Sequence, residues 1–240
     1  MAYDYLGLVN EVNRRLNEVE LTNSTFNNAK GLYAQIKDAV NASLRDINQT
    51  HQEWPFNHVS QSLTLTKGVT RYAFPTNAST VDFESFRVRE NATFGNNTIR
   101  LKPLNYDDYL QKYVDQEYKT DDSKQNIPEM VFQSPALEFG MVPTPREAYQ
   151  IVYEYYSVPS DLVATTDVPT VPERFRHVIT EGAMYYAYMF RSNEQAAQIA
   201  KTKFDEGMKK MRILLINKNT YMRSTFIAPL TNNTSGLRVA

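Results

Sequence analysis

No cysteine occurs among the 240 residues of this chain. That excludes disulfides, thiol nucleophiles and thiolate metal sites, and it fits a reducing compartment. Glycine is scarce: the eight present are not spaced as a phosphate loop or a dinucleotide fingerprint, and no Gly-x-Ser-x-Gly elbow occurs. Histidine is scarcer. His51, His58 and His177 form no His-Glu-x-x-His motif and no pair one helical turn apart, so no zinc site is expected. No apolar run approaches the ~18 residues of a membrane span. The N-terminal residues lack the basic, apolar, small-residue order of a secretory signal. The expectation is a protein with no membrane partner and no secretory route, and the sequons at Asn23, Asn41 and Asn91 read as chance products of an asparagine-rich composition. None of these patterns implies a cofactor.

An excess of charge of one sign is missing from the whole chain, though not from its parts. The net charge is −1, which gives no general attraction for nucleic acid or anionic lipid. Residues 1–74 balance seven acids with seven bases. Residues 75–170 carry fifteen acids and eight bases, net −7, while residues 171–240 carry five acids and eleven bases, net +6. Ordinary solvated faces account for much asymmetry of this kind. A basic end and an acidic middle also suit a molecule that stacks against different neighbours. Apolar residues make up 42% of the chain, enough for a sizeable core.

Four stretches carry apolar residues every three or four positions. Tyr5, Leu8, Val12, Leu16 and Val19 predict a helix over roughly 4–20. Tyr33, Ile36, Val40, Leu44, Ile47, His51 and Trp54 predict a longer one over roughly 26–53. It stops at Trp54-Pro55, because proline disfavours helix in the residue before it. Phe175, Ile179, Gly182, Tyr186 and Phe190 follow Pro172, which suits a first turn. Ala200, Phe204, Met208, Met211 and Leu215 define a fourth helix, with Ser192 and Gln195 as its capping box.

Between the two pairs of helices the pattern changes to alternation. Residues 62–66, a Lys67-Gly68 turn, and Tyr72 with Phe74 read as a β-hairpin, and further strands are expected over 81–89, 98–101, 130–133, 136–141 and 150–156. A short amphipathic helix is expected over 105–118, followed by a polar loop. The expected fold is α+β: a discontinuous helical bundle, two helices N-terminal and two C-terminal, with an inserted antiparallel β domain and an extended C-terminal arm. The expected boundaries are 1–57 for the first half of the bundle, 58–160 for the inserted β domain, 161–216 for the second half and 217–240 for the arm.

No residue carries a catalytic signature. Asp107-Asp108 and Asp121-Asp122 are acid pairs of the type glycoside hydrolysis uses, but adjacent carboxylates on a polar stretch ordinarily face solvent. Tyrosines cluster at Tyr153, Tyr155 and Tyr156 and at Tyr185, Tyr186 and Tyr188, where they serve cores and interfaces alike. The basic face of the fourth helix, Lys201, Lys203, Lys209, Lys210 and Arg212, is DNA- or partner-facing on one reading and solvated on the plainer one. Aromatic interleaving for base stacking is absent there apart from Phe204. The last 24 residues carry isolated apolar anchors with little means of folding alone. Such a segment is a disordered end or an arm that orders on a partner, and Phe226-Ile227 with Pro229-Leu230 is more apolar than a solubilising tail needs.

The order of certain segments carries a family resemblance. A long helix ends in Trp54-Pro55-Phe56, then come a Leu63-Thr64-Leu65-Thr66 strand, a Lys67-Gly68 turn and Arg71-Tyr72-Ala73-Phe74-Pro75. A tyrosine-rich strand leads to Val158-Pro159-Ser160-Asp161-Leu162 and then to Val171-Pro172-Glu173-Arg174-Phe175 at the start of the third helix. Over roughly residues 5–216 this resembles the head-to-tail adaptor proteins of short-tailed bacteriophages, the tail tubular protein A type. The resemblance implies a structural virion protein and no enzyme. Such adaptors form a homo-oligomeric ring, commonly of twelve subunits, beneath the portal protein at the head-tail junction. Their helical bundles make the ring, their C-terminal arms reach the portal, and their β domains meet the tail nozzle protein or tail fibres. DNA passes through the lumen on ejection without sequence-specific binding. Tyr221, Met222, Arg223, Phe226, Ile227 and Leu230 are then the portal contacts, and the virion is assembled in the host cytoplasm. The alternatives are a phage tail-associated cell-wall hydrolase and a carbohydrate-binding module built on the tyrosine-rich β domain.

Overall fold

A computed structural model of the chain describes residues 2–89, 98–118 and 125–216. Residues 217–240, with the arm positions Tyr221, Met222, Arg223, Phe226, Ile227 and Leu230, lie outside the described residues, as does the pair Asp121-Asp122. The fold is α+β.

Helix α1 spans Tyr5–Arg15 and starts at Asp4, whose carboxylate accepts the Gly7 N–H at 2.7 Å. It is shorter than the apolar period predicts. Asn17 takes a left-handed φ of 57°. The amides of Asn17 and Glu18 then turn back to the carbonyls of Arg14 and Asn13 at 3.1 and 2.8 Å, the ending asparagine favours because its short polar side chain tolerates that conformation. Val19 therefore falls outside the helix and is 74% exposed. The second expected helix is two: α2, Asn23–Phe26, and α3, Leu32–Thr50, separated at Gly31 with φ 59°. His51 is already extended, so it caps α3 and does not continue it.

Helix α6 spans Arg176–Phe190 after a 3-10 turn at Glu173–Phe175, and α7 spans Glu194–Leu215. The expected capping box at Ser192 is absent. Asn193 caps α7, its side-chain oxygen accepting the Ala196 N–H at 3.1 Å, while Ser192 at φ 58° closes α6. Helices α1, α3, α6 and α7 share one apolar core that includes Leu8, Val12, Ile36, Val40, Ile47, Val178, Ile179, Phe204 and Met211, all fully or almost fully buried. All but Val178 are stripe positions, which is why the period is visible: each helix hides the same face from water. Gly182 lets α6 approach its neighbours. A Cβ there would lie 2.2 Å from Ser43 Oγ on α3 and 2.8 Å from the Phe204 ring on α7.

Eight strands form two sheets among the described residues. They are β1 His58–Thr64, β2 Arg71–Ala73, β3 Ala78–Arg89, β4 Thr98–Arg100, β5 Lys102–Leu104, β6 Met130–Ser134, β7 Glu138–Val142 and β8 Gln150–Ser157. One sheet runs β1-β8-β3-β4 and the other β2-β7-β6-β5. This corrects two expectations. Strands β1 and β2 flank the Gly68 turn but belong to different sheets, so they form no hairpin: β1 pairs with β8 and β2 with β7. The turn carries the chain from one layer to the other. Nor is the pairing wholly antiparallel, since β5 runs parallel to β6. The two sheets share a second core, in which Phe86 stacks on Tyr153 at 4.7 Å and both meet Phe139.

Two short helices, α4 Tyr106–Lys112 and α5 Val114–Tyr118, cover the β6 side. Tyr109 stacks on Phe132 at 3.8 Å, and its hydroxyl donates to Glu117, which also faces the Arg71 guanidinium at 2.9 Å. Gly140 completes the packing, because a Cβ there would strike the Phe132 ring.

The return from β8 to α6 is tied down by named bonds. Asn41 on α3, itself buried, donates to the Leu162 carbonyl and accepts the Leu162 N–H, both at 3.0 Å. The Tyr5 and Leu6 amides at the start of α1 donate to the carbonyls of Asp167 and Thr165. Asp167 in turn accepts the Val163 and Ala164 N–H groups at 2.7 Å each. The segment nevertheless leaves Val158, Val163 and Val168 more than half exposed.

Candidate interaction surface

A concavity lies between α3, α6 and α7. Burial of Ala197, Ala200, Phe204, Met208 and Met211 fixes the rotation of α7. That rotation sends Lys201, Asp205, Lys209 and Arg212 down one flank and leaves Lys203, Glu206 and Lys210 on the outward side. The five basic residues grouped by the sequence are thus divided. Lys201, Lys209 and Arg212 line a groove of about 690 Å³, while Lys203 and Lys210 stand apart from it with the exposed Ile199, Ile213 and Leu214.

Opposite the basic flank stand Asp46, Gln49, Thr50 and His51 from the end of α3; Tyr185 and Tyr186 of α6 and Phe204 of α7 supply aromatic surface. The charges differ in how they are engaged. Lys201 pairs with Asp205 at 3.1 Å and sits 5.1 Å from the Phe204 ring centre. Tyr186 donates its hydroxyl to Asp46 at 2.7 Å; burial, and then that hydrogen bond to the carboxylate, push its pKa up to about 12. Both acids of the groove therefore have partners. Lys209 and Arg212 have none among the described residues, and buried His51 Nε2 has no hydrogen-bond partner either. The His51 ring is held edge-on to Trp54 at 5.3 Å, and Trp54 is fixed by its indole N–H donating to Ile47 O at 2.8 Å.

A second cleft of similar size opens where the helices meet the sheets, lined by Arg45, Asn48, Asn77, Val158 and Val168 among others. His58 lines neither concavity and faces Glu154 at 3.2 Å on the β1–β8 pair. Asp108 pairs with Lys112 at 3.1 Å on exposed α4, so Asp107-Asp108 is a surface pair. Among the described residues no group of three or more His, Cys, Asp or Glu side chains is placed to hold a metal, and no helix is long and apolar enough to cross a membrane.

The surfaces that stand out are thus grooves and exposed apolar side chains on fixed elements. Comparison with known families bears on this directly. The model of the SU10 adaptor protein family matches residues 3–231. The chain belongs to that family. No curated protein matches it significantly. As an SU10 adaptor protein it is a phage structural adaptor, a component of the virion whose task is contact with other virion proteins. Sequence reading found three of the groove's cations and noted its tyrosines. It missed that Tyr185, Tyr186 and His51 line one groove with Lys209 and Arg212, because helical period does not say which faces of neighbouring helices border a common groove and His51 lies more than a hundred positions before the others.

Proposed function

We propose that this SU10 adaptor is a ring-forming head-to-tail adaptor of the tail tubular protein A type. It joins the portal to the tail nozzle and fibres, lines the channel through which DNA leaves, and has no catalytic role. The observation that carries this reading is the extent of the family match, which begins at residue 3 and runs past Leu230. It therefore takes in the whole proposed arm, Tyr221, Met222, Arg223, Phe226, Ile227 and Leu230, along with both pairs of long helices. The division into a bundle of 1–57 and 161–216, an inserted β domain of 58–160 and an arm of 217–240 belongs to the same proposal. Separate apolar cores for the helices and for the sheets support it.

In this reading lateral contacts close a cyclic ring, commonly of twelve copies, and the arm orders on the portal in the host cytoplasm. The test is light-scattering mass with negative-stain imaging, for the protein alone and mixed with the portal encoded by the same genome. The full chain is expected to form rings on the portal. A chain ending at Ile216 is expected to keep its circular dichroism and lose portal binding. Full retention of binding by the shortened chain would remove the arm's role, and a full chain that ignores the portal would remove the adaptor reading.

A further inference from the structure

The groove between α3 and α7 has two cations, Lys209 and Arg212, and an imidazole nitrogen of His51 that have no partner among the described residues. The acidic middle of the chain offers a surface of the opposite kind. Helix α4 packs inward through Tyr109 on Phe132. Its outward side carries Asp107, Leu110 and Gln111, which share one arc of the helix. Leu110 is 41% exposed, and the Asp107 carboxylate has no partner among the described residues. This is an apolar knob beside a free negative charge. The groove is its complement: aromatic surface from the half-buried Tyr185 and Tyr186 beside the exposed positive charges of Lys209 and Arg212.

We infer that this groove receives the outward face of α4 from a second copy of the chain. The inference rests on the ring reading and names the surfaces that close the ring. Leu110 seats against the aromatic side chains while Asp107 faces Lys209 and Arg212. Of the acids already in the groove, Asp205 is paired with Lys201, and the single charge of Asp46, which accepts the Tyr186 hydroxyl, is outnumbered by Lys209 and Arg212. The contact joins two different patches, so each copy offers a groove to one neighbour and a helix to the other. Such heterologous contacts close into a ring when the rotation permits. The regional charges, net −7 over 75–170 and net +6 over 171–240, orient the approach and make it salt-sensitive.

The absence of native cysteine makes the test direct. Leu110→Cys and Arg212→Cys are made in separate chains, mixed, assembled on the portal and treated with a short thiol cross-linker. A covalent pair containing one of each chain is expected, and neither chain alone should yield it. In parallel, Lys209→Glu with Arg212→Glu is expected to weaken ring assembly by about tenfold or more, with Asp107→Lys restoring part of the loss. All three residues are exposed, so unchanged circular dichroism is expected throughout. Rings that form normally from the Glu variant and yield no mixed cross-link would overturn this contact and leave the ring reading standing. Normal rings that retain less DNA would overturn it too and assign the groove to nucleic acid. A wild-type chain that stays monomeric on the portal would instead remove the ring reading and this contact together.

Discussion

At Gly182 three helices come so close that one hydrogen atom is the largest side chain that fits. Ser43 Oγ blocks one side and is itself held, donating to Ile179 O at 2.9 Å, and the Phe204 ring blocks the other. Gly182→Ala should therefore cost about 1–3 kcal/mol through overpacking. Thermal melting would read this as roughly 2–4 °C per kcal/mol for a chain of this size. Gly207→Ala is the internal control. Its added Cβ would meet Val178 alone, with a single contact under 3 Å (Cγ2 at 2.9 Å) against three at Gly182, so a smaller fall is expected. Equal melting temperatures for both variants and the parent would contradict the packing described. The spacing of Phe175, Ile179 and Gly182 put this glycine on the buried stripe. That the position demands a glycine was not legible, because the demand comes from residues on α3 and α7 that periodicity cannot bring together.

Among elements, the return segment from β8 to α6 shows how a proline-containing linker becomes a fixed part of the structure. Asn41 satisfies both backbone groups of Leu162, and both partners are buried. Asn41→Ala leaves those groups unpaired, which costs about 1–3 kcal/mol. Hydrogen exchange should then quicken over residues 158–170 more than over β8 or α6. Uniform change across the chain would count against a local clasp. The type of most elements was legible. The alternation over 150–156 identified β8, and all four helical stripes reach one core apart from Val19, Tyr33, His51 and Phe190. What failed was pairing. Alternation tells which face of a strand is dry, and it is silent about which strand lies beside it. Hence β1 and β2 looked like a hairpin though they serve opposite sheets, and the parallel β5–β6 pair had no local signal. The basic face of α7 split for a related reason: net charge along a helix does not say which flank meets a groove until burial sets the rotation.

For the whole molecule, buried phenols are spread over both cores. Tyr153 between the sheets and Tyr186 beside α3 each have a pKa pushed from about 10 up to about 12, by burial first, then by Tyr155 for the one and Asp46 for the other. Tyr3, Tyr5 and Tyr109 are pushed up as well, chiefly by burial. The native state thus keeps protons that an unfolded chain would have released. Stability from this source is fully present below pH 10 and is lost as pH rises from 10 towards 12. Denaturant midpoints measured at intervals across that window should fall steadily, and tyrosinate absorbance should rise together with loss of circular dichroism. Phenols that ionise near pH 10 with the fold intact would contradict the burial. The division of the helices around the sheets also has a temporal side. Ser43 on α3 bonds a residue 136 positions later, and α7 ends 165 positions after α3. At typical translation speeds α1 and α3 wait on the order of ten to thirty seconds for the helices that cover them. The sheets, whose strands lie within 100 consecutive positions, are complete first. A newborn copy therefore passes through a stage in which its β half is formed and its N-terminal helices still display their apolar stripes, the interval in which chaperone capture or premature association would act on it.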